Sequence, residues 1–368
     1  MKKKKIFNII GIMTGTSMDG IDISYISTDG INKVKILKEK SYPYSLYEQI
    51  KIKKINITNI SKKNLINSHN VKITNLIIKY LKKFLKEFTI IKKGIDYISL
   101  SGQTILHIPN KNISLQLGNP KLISNFFKIQ VISNFRINDI KNGGQGAPIG
   151  AFYHKFLIKK INTNAAIINL GGVANFSLIY KKIFISADIG PANAISDDLM
   201  MYFFKRKYDK DGKLASKGNV NKKIFDLFKK DRFFRKKYPK SLDRNNFHYL
   251  IKELKKIKVH NALRTSLNFT IFSIINLINN KIFTDINEII FTGGGRKNKY
   301  LISQIKKLNH QLQISLIDDY GLNGDLIESQ MFGYIGIRSL KKLILSTPNT
   351  TGVKKKYHRW KFILLICN

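Results

Sequence analysis

The chain has 368 residues, 43% of them hydrophobic, and its 65 Lys and Arg against 23 Asp and Glu give a formal net charge of +42. This length suffices for two domains with separate cores, and the apolar fraction excludes an intrinsically disordered chain. The lysines are spread over the whole length without a zinc-finger, RNA-recognition or helix-turn-helix pattern, so we expect weak non-specific binding to polyanions but no specific nucleic-acid function.

The single cysteine, Cys367, excludes an intramolecular disulfide and a cysteine-based zinc site. A cytoplasmic location is expected, because a reducing compartment fits this cysteine usage. The basic start, residues 1–5, resembles the first part of a signal peptide, but the short apolar stretch behind it contains Asn8 and lacks a cleavage site of small residues. We interpret that stretch as a strand. No apolar run has the length of a bilayer span, so no membrane partner is expected.

The first motif is a polar turn between two apolar runs. Residues 6–13 and 21–28 are predicted as strands, and the turn reads Thr14-Gly15-Thr16-Ser17-Met18-Asp19-Gly20. Backbone N–H groups beside glycine and small hydroxyls suit a phosphate, and carboxylates suit Mg²⁺. An ordinary polar hairpin is the alternative for such a turn alone. Asp19 is the better metal candidate, since Asp22 on the second strand is also placed to face solvent.

The next part of the chain alternates strands with one long helix and ends in glycine. Apolar patterns predict strands at 34–38, 95–100, 113–117 and 130–133, and a helix at 71–88. The run 141–148 is too rich in glycine for regular structure, and we place the domain hinge close to it.

Two further glycine turns follow the first. Residues 165–170 lead into Gly171-Gly172 and an apolar run, and residues 289–292 lead into Gly293-Gly294-Gly295 and a helix. One glycine-rich loop is weak support for a function, but three in this order favour a duplicated, actin-like sugar-kinase architecture. In that arrangement the two hairpins hold the phosphates of a nucleotide, and the triple glycine lies flat against the adenosine.

The second half completes a mixed α/β class. Strands are predicted at 182–187 and 314–317, and helices at 194–204, 259–279, 298–308 and 329–344. Residues 209–256 are very basic and carry the weakest signals, which we interpret as helices. We predict a first domain over 1–135 and a second over 136–328, with the C-terminal helix, in residues 329–368, packing back on the first.

Phosphoryl transfer from ATP needs phosphate donors, Mg²⁺ and a base beside the attacking oxygen. Asp188 is the predicted base because it follows the second hairpin at a strand end, where an Asx-turn is its ordinary alternative role. Arg136, which follows a strand, suits a carboxylate or a sugar oxygen. Glu328 opens the last helix, where a site role and the helix dipole explain an acid equally well. No P-loop, G-x-S-x-G elbow or paired histidine spacing occurs, so Mg²⁺ is the only metal predicted.

These motifs, in this order, resemble the anhydro-N-acetylmuramic acid kinase family of bacterial cell-wall recycling enzymes. The similar blocks extend over nearly the whole chain and are Gly11 to Asp22, Gly102-Gln103-Thr104, Gln116 to Pro120, Phe135-Arg136, Gly143 to Pro148, Asn169 to Gly172, Asp188 to Asn193, Gly293 to Gly295, and Glu328. The resemblance implies two actin-like (ribonuclease H-like) domains that flank a nucleotide cleft, close on their substrates and often form a homodimer.

The resemblance also implies a reaction that uses ATP and Mg²⁺ on 1,6-anhydro-N-acetylmuramic acid. Water opens the anhydro ring at C1 while O6 takes the γ-phosphate, which gives N-acetylmuramic acid 6-phosphate and ADP, with Asp188 as the general base. The residues expected at the nucleotide are Gly15, Thr16, Ser17, Met18, Asp19, Gly20, Ile21, Asp22, Gly171, Gly172, Gly293, Gly294 and Gly295. Those expected at the sugar are Gln103, Arg136, Asn193 and Glu328, and Asp19 is expected at Mg²⁺.

The chain departs from the family pattern at three places. Leu100 and Ser101 stand where the family has Ser and His, and Asn134 stands where it has the Asp of Asp-Phe-Arg. The residues from Lys354 to Trp360 replace a small-residue ending. These changes leave a second hypothesis open, a degenerate nucleotide-binding remnant with low activity. A third is a related sugar kinase, against which the Thr-Gly-Thr-Ser-Met-Asp-Gly turn argues.

Overall fold

The computed structural model describes residues 5–15, 18–53, 63–108, 111–161 and 164–354. The described residues form two compact units. Unit 1 holds the chain up to Phe156, Leu326–Pro348 and the residues from Gly352, and unit 2 holds Leu157–Asp325 and Asn349–Thr351. The division therefore lies near residue 156 rather than at the expected 135.

Unit 1 is built on a five-stranded sheet with the order β3-β2-β1-β4-β7. Its strands are β1 Phe7–Thr14, β2 Gly20–Thr28, β3 Val34–Pro43, β4 Tyr97–Leu100 and β7 Val131–Ile132. A separate hairpin consists of β5 Gln103–Ile108 and β6 Ile113–Leu117. The helices are α1 Leu46–Lys53, α2 Lys63–Glu87, α3 Pro120–Phe127, α4 Phe135–Lys141, α5 Ala151–Ile161, which runs across the unit boundary, and α11 Ile327–Leu340.

Unit 2 repeats this plan with a second five-stranded sheet, in the order β10-β9-β8-β11-β12. The strands are β8 Ala165–Leu170, β9 Val173–Tyr180, β10 Ile183–Pro191, β11 Glu288–Thr292 and β12 Gln313–Leu316. The helices are α6 Asn193–Phe204, α7 Lys222–Lys229, α8 Tyr249–Leu254, α9 Val259–Ile278 and α10 Lys299–Leu308.

The two sheets have the same connectivity, which establishes the duplicated actin-like fold. In each, the first three strands form an antiparallel meander, and two later strands are added in parallel beside the first. The fourth and fifth strands are parallel to each other in both sheets. Because a parallel strand needs a crossover connection, helices follow the meander in each unit. The predicted α/β class with two actin-like domains is confirmed.

The helix α11 packs against the first sheet through glycines. A Cβ on Gly11 of β1 would lie 2.0 Å from the carbonyl oxygen of Ser329, and a Cβ on Gly333 would lie 2.8 Å from the Ile26 side chain. Helix and sheet approach this closely only without those side chains. The chain thus returns to unit 1 from Leu326 onward, and α11 ends at Leu340. Residues 355–368, part of the expected C-terminal segment, lie outside the described residues.

Residues 136–156 belong to unit 1 because their side chains pack on α11. The Phe135 ring lies 5.5 Å from the ring of Phe332, edge to face. The Tyr153 hydroxyl donates to Oε1 of Gln330 at 2.8 Å, and both side chains are buried. The glycine-rich run near 141–148 is thus a loop within unit 1 rather than the boundary between the units.

Several elements differ from the sequence predictions. The helices α3, α4 and α5 and the strand β5 were not predicted, and β10 continues to Pro191 instead of ending at residue 187. Asp188 consequently lies within a strand, at a register shift between Asp188 and Gly190, and not behind the strand's end. In the part of the chain that the structure describes, no helix has both the length and the apolar character needed to cross a membrane.

Candidate active site

The first glycine turn connects β1 to β2. Thr16 and Ser17 lie outside the described residues. Met18 adopts a positive φ of 55°, and its N–H donates to the carbonyl oxygen of Gly15 at 3.1 Å. A residue with positive φ in a turn turns successive backbone N–H groups toward one side, the arrangement that binds anions.

A buried glutamine supports this turn from β5. The Gln103 side chain is fully buried, and its Nε2 donates to the carbonyl oxygen of Gly15 at 2.9 Å. Its Oε1 and the Oγ1 of Thr14 are buried without a hydrogen-bond partner among the described residues. Since unsatisfied buried oxygens are costly, these two atoms are available to a donor that arrives with a ligand.

Ser101, the first departure from the family pattern, has a structural partner at the same turn. Its Oγ accepts the N–H of Thr14 at 3.1 Å and donates to the carbonyl oxygen of Gly102, also at 3.1 Å. The hydroxyl therefore fixes the last residue of β1, directly before the turn. Replacement of the family's imidazole has left a bonded side chain in this position.

The carboxylates of the first turn share a neighbour, Tyr44. The Tyr44 N–H donates to the carbonyl oxygen of Asp19 at 2.9 Å. Burial raises the pKa of the Tyr44 phenol, and the nearby charges of Tyr80, Glu48, Asp22 and Asp19 raise it further. Asp19 and Asp22 thus lie near one phenol. A carboxylate at this turn fits Mg²⁺, which takes one or two carboxylates together with substrate phosphates.

Two of the other residues expected at the nucleotide, Gly20 and Ile21, have packing roles in the sheet of unit 1. Ile21 is fully buried in the unit 1 core and pairs with Thr14 across the meander. A Cβ on Gly20 would lie 2.8 Å from the carbonyl oxygen of Tyr42, so the two strands approach closely there. The side chain of Ile21 therefore contributes to packing.

Arg136 is the second residue of α4, and it holds the glycine-rich loop behind that helix. Its Nη1 donates to the carbonyl oxygen of Gly146 at 2.8 Å. Oδ2 of the fully buried Asp139 accepts the N–H of Gly146 at 2.7 Å. Gly144 approaches this carboxylate so closely that a Cβ there would lie 2.2 Å from Oδ2. Arg136 and Asp139 therefore fix both backbone groups of Gly146.

Glu328 lies in the first turn of α11 and interacts electrostatically with Arg136. Burial raises the pKa of its carboxyl, and the positive charge of Arg136 acts in the opposite direction. These two predicted sugar contacts are therefore neighbours within unit 1. Asn134, directly before α4, has φ 64° and ψ 31°. Asn and Asp adopt this left-handed conformation more readily than other residues with a side chain, so this departure also fits the local backbone.

In unit 2, the second glycine turn is bound to the start of α6. The N–H of Asn193 donates to the carbonyl oxygen of Gly171 at 3.0 Å, and its Nδ2 donates to that of Leu170 at 3.1 Å. The N–H groups of Ala192 and Ala194 both donate to the carbonyl oxygen of Gly172, at 3.1 and 3.2 Å. The turn between β8 and β9 and the N-terminus of α6 are thus one rigid structure.

The triple glycine meets this structure from β11. A Cβ on Gly293, whose φ is 78°, would lie 2.4 Å from Oδ1 of Asn169, and one on Gly295 would lie 2.9 Å from Oδ1 of Asn193. A Cβ on Gly294 would meet nothing within 4 Å. Gly293 and Gly295 are therefore packed against protein, whereas Gly294 faces open space.

That open space is part of a cavity of about 380 Å³ within unit 2. It lies between α6, α9, α10 and the segment around residue 210, and its walls include Asn193, Asp209, Leu263, Gly294, Gly295 and Asn298. Sites for small molecules have volumes of this order and combine an apolar wall with a few polar groups. Asn193, expected at the sugar, shares this cavity with the triple glycine.

Asp188, the predicted base, is held by its backbone and by its side chain. It is 5% exposed, its N–H donates to the carbonyl oxygen of Lys240 at 2.9 Å, and its Oδ2 accepts the N–H of Leu242 at 2.7 Å. A hydrogen bond to a carboxylate favours its charged form, the form in which a base accepts a proton.

A sequence profile of the anhydro-N-acetylmuramic acid kinase family matches residues 7–359. The chain belongs to this family. It is 36% identical to a protein named anhydro-N-acetylmuramic acid kinase from Pelagibacter ubique (strain HTCC1062), with 96% of this chain and 97% of that protein covered. It is 33% identical to one of the same name from Zymomonas mobilis subsp. mobilis, with 94% and 96% covered.

Among solved structures, the chain is similar to the activator of the 2-hydroxyisocaproyl-CoA dehydratase from Clostridium difficile with bound ADPNP. The TM-score is 0.46 at 12% identity, and the alignment covers 91% of this chain and 96% of the activator. Because the chain belongs to the anhydro-N-acetylmuramic acid kinase family, it is a phosphotransferase, and kinases as a class use ATP.

Four residues at the candidate site of this family member were missed by the sequence reasoning. The Asp139 carboxylate accepts the N–H of Gly146, and Arg296 donates to the carbonyl oxygen of Gly293 at 3.0 Å. The carbonyl oxygen of Lys240 accepts the N–H of Asp188. The fourth residue, Arg244, lies near the second glycine turn, since a Cβ on Gly172 would lie 3.9 Å from its Nε. The two arginines carried a usable signal, because Lys is the ordinary cation of this chain. Lys240 carried none, since it lies in a lysine-rich segment.

Arg296 shows why such a signal matters. Its side chain is 3% exposed and binds Asp318 through two hydrogen bonds of 2.6 and 2.9 Å, and Asp325 through one of 2.8 Å. The planar guanidinium is suited to this forked contact with a carboxylate. Arg296 thereby holds the triple glycine at its first residue.

Proposed function

We propose that the protein uses ATP to open 1,6-anhydro-N-acetylmuramic acid hydrolytically and to phosphorylate its O6, in murein recycling. The products are N-acetylmuramic acid 6-phosphate and ADP. The observation that carries the proposal is the family match over residues 7–359, nearly the whole chain. The buried, hydrogen-bonded Asp188 beside the second glycine turn supports the chemistry.

The nucleotide is assigned to the glycine motifs. The unit 2 cavity, open at Gly294, has the size and the mixed apolar and polar walls that an adenosine requires. We assign the phosphates to the turn at Gly171 and Gly172 and to the first motif, whose residues are Gly15, Thr16, Ser17, Met18, Asp19, Gly20, Ile21 and Asp22. The buried Thr14 hydroxyl, unpartnered among the described residues, can donate to a phosphate and supports this placement. The unpartnered amide oxygen of Gln103 only accepts, so it fits a hydroxyl of the sugar instead.

Asp19, with Asp22 close by, is the proposed holder of Mg²⁺. When bound, the cation would neutralise charge on the transferred phosphoryl group. The charges of both carboxylates raise the pKa of the Tyr44 phenol, so both carry their charge near this residue.

In the proposed reaction, Asp188 takes a proton from water as the water oxygen forms a bond to C1 of the sugar. The bond between C1 and O6 breaks, and O6 forms a bond to the γ-phosphorus. The bond between the γ-phosphorus and the β,γ-bridging oxygen breaks, and its electron pair leaves with ADP. Gln103, Arg136 and Glu328 are the proposed sugar contacts, whereas Asn193, which was also expected at the sugar, lies in the wall of the cavity assigned to the adenosine. Among them, Arg136 and Glu328 already interact, which supports a shared role in orienting the sugar.

We further propose a homodimer that works in the cytoplasm, where ATP is available. Light scattering after size-exclusion chromatography tests the dimer, since a mass of one chain would contradict it. The dimer is independent of the reaction assignment.

The deciding experiment measures ADP release by the purified protein with Mg²⁺ and ATP, with and without 1,6-anhydro-N-acetylmuramic acid. We expect release that depends on the sugar, with the 6-phosphate identified by mass spectrometry. Asp188→Asn should lower the rate by about 10²- to 10⁴-fold and still bind ADP. Folded protein that binds ATP without sugar-dependent release would contradict the proposal and favour the degenerate remnant.

A further inference from the structure

Lys240 is an unusual lysine because it is buried. It is 6% exposed, and its Nζ donates to the carbonyl oxygen of Phe233 at 3.1 Å. The same atom lies 4.3 Å from the ring centre of Phe233 and 4.9 Å from that of Tyr238. Lysines are seldom buried without compensation, and here a carbonyl group and aromatic faces supply it.

The rings around Lys240 belong to the core of unit 2. Phe233 is 3% exposed and contacts the rings of Phe234 and Phe247 edge to face. The N–H of Phe233 donates to Oδ1 of Asp231 at 2.8 Å, which fixes the start of its helical turn. The ammonium group is therefore attached to a rigid part of the unit.

The main chain at Lys240 connects this anchor to Asp188. The carbonyl oxygen of Lys240 accepts the N–H of Asp188 at 2.9 Å. Two residues later, the N–H of Leu242 donates to Oδ2 of the Asp188 carboxylate at 2.7 Å. One short segment, residues 240–242, thus holds both the backbone and the carboxylate of Asp188.

We propose that Lys240 is a positioning residue for the base: its caged ammonium fixes segment 240–242, and that segment orients the Asp188 carboxylate. This inference rests on the proposed function, in which Asp188 activates water. Lys240 itself touches no reacting atom.

The anchoring of segment 240–242 affects the pH dependence of the proposed reaction. The hydrogen bond from Leu242 favours the charged carboxylate, so a loosened segment 240–242 raises the pKa of Asp188. A base works only when it is deprotonated. The fall in activity on the acid side of the pH profile would therefore occur at a higher pH than in the wild type. The titratable groups described around the Lys240 ammonium are Lys236 and Tyr238, and burial together with the charge of Lys236 lowers the pKa of Lys240 to about 8.

The test compares kcat and the KM for ATP from pH 5 to 9 for wild type, Lys240→Met and Lys240→Arg. The control is Lys237→Met, at an exposed lysine three residues before Lys240. We expect K240M to lower kcat at least about tenfold and to move the acid limb upward by about one pH unit, with KM for ATP within about twofold of wild type. K240R should recover most of the loss, and K237M should match wild type. A K240M profile like that of K237M would overturn the proposal.

Two further outcomes are separated by design. A wild-type protein without sugar-dependent ADP release would refute the proposed function rather than the role of Lys240. If K240M is recovered unfolded, Phe233→Leu removes the ring beneath the ammonium and keeps an apolar side chain. A folded F233L variant with an unchanged acid limb would overturn the positioning role, and a raised acid limb would support it.

Discussion

Oδ2 of Asp139 accepts the N–H of Gly146 at 2.7 Å, deep within unit 1. The guanidinium of Arg136 binds the carbonyl oxygen of the same glycine at 2.8 Å. A carboxylate and a guanidinium group from one short helix thus bind the N–H and the carbonyl oxygen of a single residue. The loop that carries Gln145 and Gly146 is held in one conformation as a result.

Asp139→Ala should therefore destabilise the protein and weaken the proposed sugar site. The substitution leaves the Gly146 N–H buried without its acceptor, which costs about 1–3 kcal/mol in the free energy of unfolding. We expect a raised KM for the sugar and little change in KM for ATP, measured by ADP release. Lys141→Ala, at the exposed end of the same helix, is the control. Equal KM values for the sugar in D139A and K141A would contradict this reading.

The helices α3 and α4 were not predicted from the sequence, although α3 begins with a recognisable signal. The run Gly118-Asn119-Pro120 reads as a break, and the structure shows that it also begins α3: Oδ1 of Asn119 accepts the N–H groups of Lys121 and Leu122, and Pro120 occupies the first turn. Asparagine followed by proline is a signal for a helix start. The helix α4 gave no such signal, because Asn134 precedes it in a left-handed conformation without a capping bond.

The glycine motifs were easier to predict than the residues that support them. Alternation of apolar runs and glycine turns defines the meander of each sheet, and the strands flanking the turns were predicted nearly to their observed ends. Asp139, Lys240 and Arg296 act through contacts with residues whose positions only the tertiary structure specifies. Their roles depend on burial, which a charged residue in a lysine-rich sequence does not reveal.

Ser101→Ala tests whether this departure from the family is compensated. The hydroxyl of Ser101 accepts the N–H of Thr14, so its removal should cost about 1 kcal/mol in the free energy of unfolding. Because Thr14 leads into the proposed phosphate turn, KM for ATP should rise severalfold. Ser216→Ala, which removes an exposed hydroxyl bonded to the carbonyl oxygen of Lys213, is the control for both measurements. An S101A protein as stable as S216A, with unchanged KM for ATP, would show that the bond is unimportant.

Glu48 should make the stability of unit 1 depend on pH in the acid range. Burial alone would raise the pKa of its carboxyl, but hydrogen bonds from Lys79, Ser45 and Tyr80 lower it to about 2. A carboxyl with a lowered pKa stabilises the fold above its unfolded pKa, near 4.5, and this contribution is lost as pH falls toward 2. Glu48→Gln should cost about 1–2 kcal/mol at neutral pH and less at pH 2.

The measurement for Glu48 is Tm against pH from 2 to 7. Glu253→Gln is the control, because Glu253 forms an exposed ion pair with Lys256. The Tm difference between wild type and E48Q should shrink as the solution is acidified, while that for E253Q stays small throughout. A difference for E48Q that is constant over the whole range would show that its charge does not stabilise the fold.

Gly294→Ala and Gly295→Ala form a matched pair that separates packing from ligand binding. A Cβ on Gly295 would lie 2.7 Å from the Cβ of Leu170, whereas one on Gly294 meets nothing within 4 Å. G295A should therefore lower Tm, through overpacking that costs about 1–3 kcal/mol. G294A should leave Tm unchanged and weaken ADP binding at least about tenfold, since its methyl group enters the cavity proposed for the adenosine. Calorimetric titration with ADP and thermal unfolding measure the two effects, and a G294A variant with wild-type affinity for ADP would remove the nucleotide from this cavity.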